Sequence, residues 1–396
     1  MYILDFLKNP LPTNNMVTFD YRLLCSGVLY NCDVVTADWT KSDASRILFF
    51  EPPFTLRVCS YPFDEYPQEL ALQFCAPFVH ETKGATTTGF YPDEDIARDL
   101  TALLTLFCHR LITVATKIHE HHPKHYDNEL LIFRDLPIGF VKSLKPVHWV
   151  RQPVSFVYGG PDGITEIKDN NPAPLGVGPN QIKKLLLSLP QLSFATSVVQ
   201  SARLYSLALQ QIRSDVDVAY QLLVAAIEVM ANEVLDNFKP NVGDMVFTQS
   251  SVERLATEFG LNAEQSCALA VEACKREQWI SRKFKKFILD NITDEPWRED
   301  DLFKLPSQYF PNKNEFEKAL SDIYDARSQL LHHGRSFPPG AQMGISYRVP
   351  FRVGMECFDP SSKRFPPVVW FERVVNSAIN NFIEASIRDA AVQSAI

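Results

Sequence analysis

Tyr324-Asp325-Ala326-Arg327-Ser328-Gln329-Leu330-Leu331-His332-His333-Gly334 reads as the closing turns of an amphipathic helix that a glycine stops. Counting back from Arg327, the residues 4, 7 and 11 positions earlier are Ile323, Leu320 and Phe316. They form an apolar row at helical spacing, and Arg327 continues it. A guanidinium on such a row is costly unless it is paired or put to use. Two imidazoles follow at the helix exit, where a histidine also suits the negative end of the helix dipole. Gly334 supplies the left-handed residue that commonly ends a helix.

The charge on this helix needs a partner, and one lies upstream. Between Tyr220 and Asn232 the only charged residue is Glu228. A helix over 218–238 is therefore apolar on nearly every side and is predicted to sit centrally in a bundle. An arginine fork matches a carboxylate well. The expected pair has two uses: it fixes helix register as a buried ion pair, or Glu228 orients Arg327 toward a phosphate. On a straight helix His332 lies roughly 140° around from Arg327, and His333 roughly 120° the other way. Neither shares the arginine's face. An unwound last turn at Gly334 would bring them closer, and so would a second copy of the helix in a symmetric dimer.

Other helices are expected at 181–189 and 194–212, two or three within 252–292, and a last one after Pro366-Pro367 with Phe371, Val375, Ala378 and Phe382 on its apolar stripe. The first part of the chain reads differently. Short apolar runs at 46–50, 54–59 and 70–75 look like strands, separated by Pro52, Pro53, Pro62 and Pro67. Further strands are expected at 129–133 and 154–158, with a β-like excursion at 344–352. Pro92 and the acidic Asp93, Glu94 and Asp95 suit a helix start. The apolar face of that helix is expected to run through Ile96, Leu100, Leu103, Phe107, Leu111 and Val114. The glycine- and proline-rich stretch 159–178 reads as a linker, with no lysine at phosphate-loop spacing. The expected fold class is α+β: a mixed, strand-rich domain over 1–178, with a sensor or regulatory role, then an all-helical domain over 179–396.

The chain has 396 residues, 46% of them hydrophobic, enough for two cores. Its net charge of −8 excludes a chain coated in basic residues, though not a local basic site. Eight cysteines form no CxxC pair and several lie in apolar segments, which fits reduced thiols in the cytoplasm. No signal-peptide layout and no membrane-spanning run is read. His119, His121, His122 and His125 lie close together, but Pro123 breaks the helix and the neighbours are charged. An exposed helix end is expected there rather than a metal site, and no cofactor is implied. Lys275, Arg276, Arg282, Lys283, Lys285 and Lys286 surround Trp279 and Phe284. They read as a phosphate-tracking surface with a stacking aromatic, or as a solvated face over a core aromatic.

Arg327 and His332 form an R-x4-H motif near a helix end. It resembles the signature of the HEPN superfamily of all-helical ribonucleases and nucleotide-binding proteins. The segment 217–228 is similar to the second long helix of Apea-like HEPN domains, including its acidic residue. Segment 284–290 resembles their middle helix, 324–334 their motif helix and 370–375 their final helix. The resemblance implies an HEPN-like bundle in the C-terminal half. It also implies metal-independent RNA cleavage, by attack of a ribose 2′-OH to give a 2′,3′-cyclic phosphate, in antiviral defence or stress response. Arg327 would stabilise phosphorane charge, His332 or His333 would move protons, and Glu228 would orient the arginine. A homodimer through the helical domain, with RNA as substrate, would complete the site. Ser328 stands where many members carry Asn or Asp, and His333 also allows an R-x5-H spacing. The alternative is a non-catalytic HEPN-like module that binds nucleic acid, nucleotide or a partner protein.

Overall fold

The computed structural model describes residues 2–8, 16–25, 45–51, 54–59, 69–77, 93–109, 111–121, 156–160, 163–167, 179–212, 214–236, 238, 254, 256–294, 313–338, 341, 365–366 and 368–394. The architecture is built around two helices packed side by side, α4 (Ala195–Gln211) and α5 (Val216–Val234). Asp215 caps α5 by accepting a bond from the Val218 amide at 3.0 Å. Ala219, Tyr220, Leu223, Val224, Ala226, Ile227, Met230 and Ala231 of α5 are buried. Burial on several sides gives this helix the central place its composition predicts. Ser197, Ser201, Ala202 and Ala226 are small, so the backbones approach closely, and the Ser201 hydroxyl donates to the Ala226 carbonyl at 2.8 Å.

Around this pair pack α2 (Asp93–Cys108), α6 (Ala263–Asn291), α7 (Phe316–His333) and α8 (Val368–Ser394). The shorter α1 (Tyr2–Lys8) lies on α2, and α3 (Pro179–Ser188) leads into a 3-10 turn at Leu189–Gln191. α6 is a helix of 29 residues, and a short helical stretch at 256–259 that ends at Gly260 (φ 62°) precedes it, so two helical stretches are described where two or three are expected. Asn262 and Gln265 close a capping box at its start, and no proline or glycine follows before its end. Phe371 of α8 stacks on Tyr220 with ring centroids 5.3 Å apart, and Phe337 stacks on the same tyrosine at 4.6 Å. The Tyr220 hydroxyl donates to the Pro366 carbonyl, which ties the start of α8 to α5.

The helix begun at Pro92 ends at Cys108, short of the Leu111 and Val114 expected on its face. His109 turns out of the helix with φ 51°. The Thr105 hydroxyl then holds both the amide (3.0 Å) and the carbonyl (3.1 Å) of Ile112. From there the β-branched run Ile112-Thr113-Val114 continues as a strand, where such residues fit better than in a helix.

Backbone pairing is described for β1 (Met16–Cys25), β2 (Ser45–Glu51), β3 (Phe54–Cys59), β4 (Glu69–Pro77) and β5 (Ile112–His121), in the antiparallel order β2-β3-β4-β1-β5. A hairpin of β6 (Phe156–Gly160) and β7 (Gly163–Ile167) runs through part of the expected linker. The expected segments 129–133 and 344–352 lie outside the described residues.

The expected fold class, α+β with a strand-rich domain ahead of a separate helical bundle, is overturned. Of the residues whose surroundings are described, 82% are helical. The N-terminal α1 and α2 belong to the same buried cluster as α3 to α8, through Ile3, Leu4, Ile96, Leu100 and Phe107. Ile112, at the start of β5, joins that cluster as well. The reason lies in α2. Ile96, Ala97, Leu100, Leu103, Leu104, Leu106 and Phe107 spread over more than one side of the helix. A sheet covers one side of a helix, whereas α4 and α8 can enclose more of it, and each fully buried large side chain contributes about 1.5–3 kcal/mol.

Candidate functional site

Arg327 on α7 and Glu228 on α5 meet as the sequence predicts. Nη2 of Arg327 donates to Oε2 of Glu228 at 2.9 Å. Tyr324, one turn earlier on α7, donates its hydroxyl to Oε1 of the same carboxylate at 3.0 Å. Each oxygen of Glu228 therefore has its own donor. The guanidinium also lies over the Tyr324 ring, 5.6 Å from its centroid, a cation–π contact. Phe284 of α6 backs Tyr324 at 5.4 Å.

The two charges are differently placed. The Glu228 side chain is 12% exposed and that of Arg327 is 23%. Burial pushes the Glu228 carboxyl above its ordinary value, against the opposing pull of Arg327 and then of the Tyr324 hydrogen bond. The pair is thus held at the rim of the core, with the carboxylate inward and the arginine outward. A guanidinium has five N–H donors. One of them, on Nη2, is engaged with Glu228, and the side chain remains partly exposed.

His332 and His333 are both exposed, and α7 stays helical through His333. The last turn does not unwind to redirect either ring, so the two histidines keep the separate faces that helical geometry gives them. Their ring centroids are 6.4 Å apart. Gly334 then adopts the left-handed conformation at φ 63°, and its amide bonds to the Leu330 carbonyl at 2.9 Å. A β-carbon added there would meet nothing within 4 Å. Gly334→Ala is accordingly expected to cost about 1 kcal/mol through backbone conformation alone. A thermal melt checks it, and a loss well above that size would mean a contact is being broken.

Of the six basic residues on α6, the side chains of Arg282, Lys283, Lys285 and Lys286 are described. Lys285 reaches α7, bonding Ser321 at 3.1 Å and lying 3.8 Å from Glu317. Lys286 pairs with Asp290 at 2.9 Å, and Arg282 and Lys283 are half-buried. The side chains of Lys275 and Arg276 lie outside the described residues. Phe284 is fully buried and belongs to the core, so it cannot stack on a base. His119 and His121 lie on the strand β5 rather than at the expected helix end, and the side chains of His119, His121, His122 and His125 lie outside the described residues. Among the described residues, no group of three or more His, Cys, Asp or Glu could hold a metal ion, and no helix is long and apolar enough to cross a membrane.

A second polar cluster escapes the sequence reading. Nε2 of His109, at the end of α2, lies 2.8 Å from Oε1 of Glu372 on α8. The Tyr205 hydroxyl of α4 donates to the same oxygen. Asn376 and Asn380, one and two turns after Glu372, donate to the Leu106 carbonyl at 2.9 and 3.0 Å. That carbonyl is among the last of α2, where helices lack internal partners. Nearby, Arg203 of α4 pairs with the fully buried Asp99 of α2, whose carboxyl is raised by burial against the pull of Arg203. The available signal was Glu372, Asn376 and Asn380 at four-residue spacing, a polar row along an apolar helix.

Searches of protein-family models, curated proteins and solved structures return no match to this chain.

Proposed function

We propose that the chain is a metal-independent endoribonuclease of HEPN type. The observation that carries the reading is Arg327: a guanidinium held by a partly buried carboxylate on a side chain that stays 23% exposed. Such a fork suits the extra negative charge of a phosphorane. The ribose 2′-OH attacks the adjacent phosphorus and loses its proton to a histidine. The P–O5′ bond breaks, and the departing oxygen takes a proton from an imidazolium. The products are a 2′,3′-cyclic phosphate and a 5′-OH end, with no metal in the balance. Because His332 and His333 lie on other faces of α7, a two-fold pairing of α7 helices would bring a second chain's histidine to Arg327. RNA and a homodimer are the partners this reading requires. The motif's resemblance supports a role in cytoplasmic antiviral defence or stress response.

The exposed, divergent histidines favour a second reading, a non-catalytic module that binds RNA, nucleotide or a partner protein through Arg327. The test is RNA cleavage by the purified full chain in EDTA, with the product ends identified. The wild type is expected to leave cyclic phosphates. Arg327→Ala, and whichever of His332→Ala and His333→Ala removes the proton carrier, are expected to lower the rate by about 100-fold or more. Salt-sensitive RNA binding without any cleavage product would favour the second reading instead.

A further inference from the structure

We propose that the His109–Glu372 contact is a latch through which the N-terminal segment controls the Arg327–Glu228 site. The inference rests on reading that pair as the functional site, and its test does not depend on RNA chemistry. His109 sits at the corner where α2 ends and β5 begins. Among the described residues it is the only non-glycine with positive φ, at 51°, a conformation that disfavours residues with a β-carbon. A strained corner persists only where its surroundings hold it. What holds it is Glu372, whose side chain is 0% exposed.

The holding contact is incompletely satisfied. Nδ1 of His109 and Oε2 of Glu372 are buried with no hydrogen-bond partner among the described residues. Leaving buried polar atoms without partners lowers the advantage of the closed arrangement over an opened one. The α2 end is thus seated by contacts on α8, yet it carries a left-handed corner and, among the described residues, two buried polar atoms without a protein partner. These are the properties of an element with two accessible states.

A continuous set of packed rings leads from the latch to the site. Glu372 follows Phe371 in the chain, and Phe371 stacks on Tyr220 of α5 at 5.3 Å, with planes 12° apart. Phe371 also lies 6.4 Å from Phe284 of α6. Phe284 lies 5.4 Å from Tyr324, the residue whose hydroxyl holds Oε1 of Glu228. Opening the corner would release α8 from the end of α2, loosen Phe371 and Phe284, and remove the support behind Tyr324. On the other side, β5 begins two residues beyond His109's neighbour Arg110 and its backbone pairs with β1. Whatever displaces that strand pulls on the corner.

Hydrogen–deuterium exchange of the full chain tests this. His109→Ala is compared with Leu186→Ala, a core truncation on α3 chosen for a similar melting temperature, and with His109→Gln, whose amide can occupy the place of Nε2. His109→Ala is expected to speed exchange within 316–333 by roughly tenfold relative to Leu186→Ala, while His109→Gln stays within about twofold of the wild type. The proposal is overturned if acceleration is confined to 93–121 and 368–394, or if Leu186→Ala speeds 316–333 equally. If His109→Ala does not fold, His109→Asn, which tolerates positive φ but whose shorter side chain stops short of Glu372, reads the same contrast by the same two outcomes. A chain that cleaves no RNA still gives this result, so failure of the latch and failure of the ribonuclease reading are distinguishable.

Discussion

Arg327→Ala is expected to lower stability by about 3 kcal/mol at pH 7 and by less than about 1 kcal/mol at pH 4. Breaking a buried pair typically costs 3–5 kcal/mol, because the remaining charge is left without its partner. The low end applies here because the Arg327 side chain is 23% exposed. The pH dependence follows from Glu228, whose carboxyl in the folded state is already above its ordinary value of 4.5 because burial outweighs Arg327 and Tyr324. Removing Arg327 takes away the larger of the two lowering influences, so the carboxyl rises further. A carboxyl raised on folding keeps a proton that the unfolded chain has released, so stability falls as pH climbs from the unfolded value through the folded one. The wild type therefore loses some stability across that window, and Arg327→Ala loses more. Below the unfolded value both chains carry a protonated Glu228 and the difference narrows. Denaturant melts at the two pH values measure it. A loss of the same size at both would assign the effect to packing of the arginine stem rather than to charge.

Glu372→Ala is expected to cost about 3–5 kcal/mol, while Glu372→Gln should cost about 1–2 kcal/mol. The carboxylate is fully buried and receives His109 and Tyr205 on one oxygen. Truncation removes both of those contacts and opens a space between α2, α4 and α8. The Tyr205 hydroxyl would keep Asn376, which donates to it at 3.1 Å, but His109 Nε2 would lose the contact described here. Glutamine keeps the shape and one acceptor oxygen. Equilibrium unfolding in denaturant gives both values, and an alanine variant within about 1 kcal/mol of wild type would mean that the network contributes little.

The central pair was legible because each partner stands out on its own helix. Glu228 is a single charge in a long apolar segment, and Arg327 continues an apolar row. Tyr324 was harder to see, since a tyrosine at the edge of an apolar face reads as packing, and only the fold shows its hydroxyl aimed at Glu228. The His109–Glu372 contact joins positions 263 apart in the chain. In the sequence His109 and Arg110 interrupt an apolar run and Glu372 adjoins Arg373, and nothing local links the two positions. Several strands were legible from apolar runs between prolines, as β2, β3 and β4. The fold class was not, because periodicity says that α2 is apolar and does not say what covers it. Its end was missed for a local reason: Leu111 and Val114 fit the helical period, while the turn at His109 depends on contacts with α8.

The most direct test of the account compares RNA cleavage and stability in the double variant Arg327→Ala/Glu228→Gln. Glutamine can still accept the Tyr324 hydrogen bond and leaves no buried charge behind, so most of the stability lost in Arg327→Ala should return. Cleavage should not return, because no guanidinium is left to meet the phosphorane. A double variant that melts near the wild type and has lost RNA cleavage by about 100-fold or more is the predicted result. One that cleaves RNA at the wild-type rate would contradict the account and leave Arg327–Glu228 as an ion pair that only sets helix register.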